Sequence, residues 1–144
     1  FSIGAQVYFQ IVAFASKLCS KFDSYDVYGF EIHHREKKDS PSGTAKTISN
    51  IITDNFVSKT SVHFDRLDRP IQEHELHFSS LRGGKNPGLH QVIFDSGADE
   101  VRLTHAARGR RGFAEGAVMA AEYIQGKKGY FSFDRLFRSE EVYE

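Results

Sequence analysis

The period of the apolar residues changes along this chain, and that change limits the folds open to it more than any other feature. Over residues 4–21, Val7, Ile11, Phe14 and Leu18 recur at spacings of four, three and four, which places them on one stripe of an amphipathic helix. Over 26–34 the period drops to two. Tyr28, Phe30, Ile32 and His34 alternate with Gly29, Glu31 and His33, so a regular strand points the two histidines to opposite faces. A charged loop at 35–40 runs into Pro41-Ser42-Gly43-Thr44. Ala45, Ile48, Ile51 and Ile52 then predict a second helix with Ser42 or Thr44 as its N-cap. Strand-like text follows at 61–64, 75–82, 89–94 and 100–107. Asp95-Ser96-Gly97-Ala98-Asp99 joins the last pair as a hairpin loop, and Gly83-Gly84 and Pro87-Gly88 punctuate the loop before it. A final helix is expected over 113–125, with Phe113, Ala117, Ala120 and Ile124 on one face and Gly126 at its C′ position. The tail from residue 127 has aromatic residues but no clear period.

The order helix, strand, helix, several strands, helix predicts an α+β fold. Its sheet should be mixed, mostly antiparallel, of about four strands, with helices on one face and an open face suited to self-association. At 144 residues the chain is long enough for one ordinary core. Its 40% apolar and 26% charged residues fit a globular protein rather than a disordered one. The formal net charge of zero argues against nucleic acid or an anionic membrane as partner. No apolar run approaches the ~20 residues that span a bilayer. The lone Cys19 precludes an internal disulfide, which fits a cytoplasmic protein. The chain opens on Phe1-Ser2-Ile3-Gly4 with no initiator Met and no signal-peptide pattern, and reads as a segment of something longer.

Reactive side chains concentrate in one place. His33 and His34 are followed by Lys37, Asp39 and then Ser42-Gly43-Thr44. Histidine exchanges protons near neutral pH. Lysine supplies a cation for a carboxylate, or a proton where apolar surroundings lower its pKa. Ser-Gly-Thr at a helix start offers hydroxyls and unpaired N–H groups to an anion. Together they describe a pocket for a small dianion that needs a proton. The same residues also read as a strand end beside an ordinary capped helix, and local pattern alone leaves both readings open.

The run E-I-H-H-R-E-K-K-D-S-P-S-G-T-A at 31–45 resembles the signature of the dihydrodipicolinate reductase family, E-x-H-H-x-x-K-x-D-x-P-S-G-T-A, at every fixed position. Further landmarks resemble that family in order: Phe1-Ser2-Ile3-Gly4; Arg82-Gly83-Gly84 with Gly88 and His90; Thr104-His105; Arg110; and Phe113-Ala114-Glu115-Gly116-Ala117. The resemblance implies a reductase of lysine and diaminopimelate biosynthesis, cytoplasmic and homotetrameric. Hydride would pass from NADH or NADPH to a dihydrodipicolinate-type cyclic imine, giving tetrahydrodipicolinate. His33 would be the acid/base residue and Lys37 its partner. His34, Ser42, Gly43 and Thr44 would hold the carboxylates of a small cyclic dicarboxylate. Phe1, Arg110 and Phe113 would lie on the cofactor side, and the arginines at 108–111 could meet its phosphates. Residues 1–112 would form the substrate-binding and oligomerisation domain. Residues 113–144 would be a helix and tail packing on a dinucleotide-binding domain. No G-x-G-x-x-G in strand-to-helix context occurs here, so the chain alone is expected to be inactive.

Rival readings exist. Val92-Ile93-Phe94-Asp95-Ser96-Gly97-Ala98 matches the phrase of a retroviral-type aspartic protease, with Asp95-Ser96-Gly97 as its centre. The same residues make an ordinary turn, and no later apolar-apolar-Gly strand follows. His74-Glu75-Leu76-His77 is one residue short of H-E-x-x-H and lies in strand-like text, so no metal site is expected there. His63 and His74 read as exposed, His90 and His105 as sheet residues near the cleft. A self-associating module without catalysis is the remaining alternative.

Overall fold

The structure, a computed structural model, describes residues 1–137. Ser2 caps helix α1 (Ile3–Cys19) by accepting the Ala5 N–H on its hydroxyl. Strand β1 (Asp26–His33) and helix α2 (Gly43–Asn55) follow. Strands β2 (Ser61–His63), β3 (Glu75–Arg82), β4 (Leu89–Asp95) and β5 (Glu100–Ala106) lead to helix α3 (Arg111–Tyr123) and a 3-10 turn, Phe133–Phe137. The fold is α+β as expected. The sheet has five strands rather than about four, in the order β2-β3-β1-β4-β5. β1 pairs parallel with β3 and antiparallel with β4, which pairs antiparallel with β5, while the short β2 lies parallel to β3. α2 carries the chain back after β1, and residues 64–74 carry it back again between β2 and β3, so that β1, β2 and β3 all run parallel. Among the described residues no helix is long and apolar enough to cross a membrane. The last part of the expected tail, residues 138–144, lies outside the described residues.

Alternation along β1 fixes which face the helices cover. Val27, Gly29, Glu31 and His33 are buried, whereas Tyr28 is exposed and Phe30 and Ile32 only partly covered. On the covered side Phe78, Val92 and Phe94 meet Ile48 and Ile52 of α2 and Val12 of α1, all fully buried. The open face carries Tyr28, Phe30, Ile32 and, in register with them, Ile93, Gln91 and Leu89 of β4. The apolar stripe of α1 departs from the simplest reading. Val7, Ile11, Phe14 and Leu18 are exposed, Phe14 by 70%, and the helix buries Tyr8, Val12 and Ser16 instead. The Tyr8 hydroxyl donates to the Leu103 carbonyl at 3.0 Å and sets that rotation. α3 begins at Arg111, two residues before 113. Gly116 is its buried residue, against the carbonyl of Phe1, where a methyl group would collide. Gly126 does take a left-handed conformation, φ 71°, but two residues beyond the C-cap Ile124 rather than one.

Gly29 sits in the central strand where β1 meets β3 and β4. A Cβ there would lie 2.5 Å from the Phe78 ring and 2.7 Å from the Gln91 carbonyl oxygen, and the backbone contact cannot yield as a flexible side chain can. Gly29→Ala should therefore destabilise the fold by about 1–3 kcal/mol. The test is a lower urea midpoint at unchanged m value, and an unchanged midpoint would refute the close approach.

Candidate functional site

β1 ends at His33, and the chain turns there instead of running on. The Gly83 N–H donates to the His33 carbonyl at 3.1 Å, the Arg35 N–H to Gly84 at 3.3 Å, and the Lys37 N–H to His34 at 3.1 Å. The expectation of opposite-facing histidines fails for this reason, since His34 is outside the strand. Both rings line one cleft of about 700 Å³ together with Lys37, Ser42, Gly43, Thr44, Arg110 and Phe113. Lys37 Nζ is 2.7 Å from Asp39 Oδ1, and its side chain keeps partial exposure to the cleft. α2 points its N-terminus into the same space, so its first N–H groups, unpaired within a helix, face the cleft. Ser42 is the N-cap, accepting the Ala45 N–H at 3.1 Å.

Beneath the cleft lies Glu31, with no exposed surface. Its Oε1 accepts the Ser42 N–H at 2.9 Å, the Ser80 hydroxyl at 2.8 Å and Arg82 Nη2 at 2.8 Å. Its Oε2 accepts the Ser42 hydroxyl and lies 3.2 Å from His90 Nε2 and 3.3 Å from His33 Nδ1. The His33 approach is close enough for charge attraction but is not aligned as a hydrogen bond, and Nδ1 is enclosed without another partner. Arg82 also donates to the Asp39 carbonyl at 2.8 Å, tying the 34–41 loop to the floor. The His33 and His90 rings meet edge-on, 5.1 Å apart.

Burial pushes the Glu31 carboxyl up. Donation from His90, Ser42 and Arg82 more than offsets this and holds it well below the usual carboxylate range. His33 shows the reverse balance. Burial, with help from His90, Lys37 and Arg82, pushes it down to about 4 against the opposing pull of Glu31. Burial also lowers His105, with His90 contributing. At neutral pH the resting site therefore holds an ionised Glu31 and a neutral His33.

The structure brings His33, His34, Lys37, Ser42, Gly43, Thr44, Arg110 and Phe113 to one cleft. Phe1 stands apart, its ring packed edge-on against Phe133 at 5.2 Å in an apolar groove beside α3. The Ser42 hydroxyl is turned onto Glu31, which leaves the Gly43 and Thr44 positions of α2 to face a ligand. Arg82, Ser80, His90 and Glu31 itself had no assigned role from sequence, although an acid on the buried face of a strand needs partners. Ligand atoms of Glu31, His33 and His90 lie within 4.8 Å of one another, a spacing a cation could use. The lone pairs of Glu31 are already spent on Ser42, Ser80 and Arg82, so the cluster suits a carboxylate anchor better than a metal. His63 is not free in solvent: its Nε2 lies 2.9 Å from Glu75 Oε1, and Arg69 grips the same carboxylate. His74 is exposed as expected. Asp95-Ser96-Gly97 is a hairpin loop, with the Ser96 N–H and hydroxyl both donating to the Asp99 carbonyl, and provides no protease centre.

These protonation states predict how stability follows pH. Unfolded His33 takes a proton near its ordinary 6.5, while folded His33 does so at about 4, so between these values the unfolded chain binds more protons and stability falls as pH falls. Glu31 acts in the same direction at lower pH: its contribution is present above the ordinary carboxylate range and is lost as pH drops toward its depressed folded value. The urea midpoint should decline from pH 7 to pH 4.5, and less steeply in His33→Asn. A flat profile in the unmutated chain would contradict the neutral, enclosed imidazole.

Known proteins resemble this chain along nearly its whole described length. The family profile "Dihydrodipicolinate reductase, C-terminus" matches residues 4–137. A 4-hydroxy-tetrahydrodipicolinate reductase of Aquifex aeolicus is 39% identical over 137 residues, covering 94% of this chain and 51% of its own length. That of Christiangramia forsetii is 37% identical over 132 residues, covering 92% and 54%. The chain thus spans about half the length of these relatives. A dipicolinate-bound dihydrodipicolinate reductase from Paenisporosarcina sp. TG-14 shares the fold, with TM-score 0.71 over 94% of this chain and 52% of that one, at 20% identity. With His33, His34, Lys37, Ser42, Gly43 and Thr44 of the signature gathered in one cleft and the profile matched along nearly its whole length, the chain belongs to the dihydrodipicolinate reductase family as a C-terminal domain.

Proposed function

We propose that the chain is the substrate-binding and oligomerisation half of a cytoplasmic 4-hydroxy-tetrahydrodipicolinate reductase, acting in lysine and diaminopimelate biosynthesis and inactive by itself. The observation that carries this reading is the convergence of His33, His34, Lys37 and the α2 N-terminus on one cleft. A small cyclic dicarboxylate fits that set of donors: one carboxylate on Lys37 and His34, the other on the N–H groups at Gly43 and Thr44. The nicotinamide of NADH or NADPH, held mainly by a separate dinucleotide-binding domain, supplies the hydride when bound. Arg110 and Phe113, at the mouth of the cleft, are the residues here that fit its phosphates and ring. His33 supplies the proton. Its Nδ1 faces Glu31, and Nε2 lies toward Gly88, where even a methyl group would come within 3.0 Å of it. A dianion in the cleft opposes the burial and the Lys37 charge that keep His33 neutral, so His33 gains a proton on Nε2 as ligand binds and gives it to the ring after hydride arrives.

Dipicolinate, a planar pyridine dicarboxylate, is the probe for this. Calorimetry at pH 7 in buffers of different ionisation enthalpy should show binding with net proton uptake, absent in His33→Ala. Lys37→Ala should weaken binding roughly tenfold or more, the loss of one charge-assisted hydrogen bond. No binding at millimolar dipicolinate would reject the substrate assignment. Binding with the same heat in every buffer would reject His33 as the proton carrier.

Self-association through the open sheet face completes the proposal. Tyr28, Phe30, Ile32 and Leu89 keep apolar surface on that face, of the kind that marks protein contacts. The expected state is a homotetramer of the 16.3 kDa chain. Sedimentation that finds a monodisperse monomer at high micromolar concentration would count against it.

A further inference from the structure

We propose that Glu31 is the positioning residue of this site: from below the cleft it selects which ring nitrogen of His33 carries hydrogen and holds the α2 N-terminus toward the ligand. The inference rests on the reading of the cleft as a dicarboxylate site and adds a residue that touches neither substrate nor cofactor. Glu31 is fully buried and does not line the cleft, so it has no direct contact to offer a ligand. Its oxygens instead reach what does. Ser42 donates both its backbone N–H and its hydroxyl to the carboxylate, which locks the first residue before Gly43 and Thr44. Oε2 lies 3.3 Å from His33 Nδ1. An anionic oxygen at that distance favours hydrogen on Nδ1, and the neutral ring then presents an unprotonated Nε2 toward Gly88 and the cleft.

The other charged or titratable groups around His33 cannot substitute. Lys37 on the following loop, Arg82 on β3 and His90 on β4 are donors or cations, and each acts against protonation of the ring. Glu31 is the acid whose charge acts on it. Arg82 and His90 have a second part in this account, because they keep Glu31 ionised while it is enclosed. A carboxylate protonated by its own burial would neither orient the imidazole nor hold Ser42.

The ring nitrogens report this directly. Long-range proton–nitrogen correlation spectra of the ligand-free chain at pH 7 should show His33 as the Nδ1–H tautomer. In Glu31→Gln, which keeps the side chain's shape, the population should shift toward Nε2–H, and dipicolinate affinity should fall roughly tenfold or more while amide dispersion is retained. An Nε2–H tautomer in the unmutated chain would overturn the proposal, whether or not the variant folds. So would a folded Glu31→Gln with an unchanged tautomer. If the unmutated chain fails to bind dipicolinate, the substrate reading falls, and the tautomer comparison still decides the role of Glu31.

Discussion

Removing the Glu31 carboxylate from water costs several kcal/mol unless nearly every lone pair is met by a donor. The donors come from elements far apart in sequence: Ser42 at the start of α2, Ser80 and Arg82 on β3, His90 on β4. Sheet register and site geometry are therefore one constraint. Glu31 is paired with Ser80 on one side and His90 on the other, with His33 opposite Arg82. A slip of one residue would turn Glu31 onto the open face, and a slip of two would bring apolar Phe78 or Val92 opposite it. The hydrophobic core tolerates exchanges of similar volume. This ionic floor does not, because removing one partner leaves a buried charge uncompensated.

The same floor explains what could be read from the sequence. Helix and strand positions follow from period, and α2 and its Ser42 cap are found where Ala45, Ile48 and Ile52 place them. The β4–β5 hairpin follows from its loop residues. Period could not tell which apolar stripe of α1 would be buried, because two run side by side. Tyr8 decided between them by a hydrogen bond to β5, a contact 95 residues away. In β1 the face that packs under the helices is the one with Glu31 and His33, the less apolar of the two. Its polar groups are satisfied by distant partners that local pattern cannot see. The signature at 31–45 marked the cleft residues together, but not the reason for the acid at its head.

Much of the remaining surface looks unfinished for a lone domain. The stripe of Val7, Ile11, Phe14 and Leu18, Tyr28 on the outer face of β1, and Phe113 and Val118 of α3 with its C-cap Ile124 all leave apolar area exposed. Isolated apolar residues on a surface are ordinary, whereas contiguous stripes on separate elements are not. The relatives have about twice this length, and the cleft is lined on one side by Arg110 and Phe113 at the start of α3. The groove formed by Phe1, Ala120, Ile124 and Phe133 runs along that helix.

Electrostatics ties the resting site to its proposed chemistry. An acid catalyst needs a proton it can give up, yet burial and the cations around His33 leave it neutral at physiological pH. A neutral imidazole is a poor acid, which at first counts against His33. Burial is the main cause, and Lys37, the cation that adds to it from the cleft, is also a group suited to bind a carboxylate. On the proposed mechanism, a ligand that brings two negative charges raises the proton affinity of Nε2. On that proposal an anionic ligand favours the proton by its own binding, while a neutral one leaves the ring uncharged. In the proposed mechanism discrimination for a dicarboxylate and readiness for proton transfer then have one physical cause, with Glu31, ionised and fixed beforehand, directing the proton to Nε2.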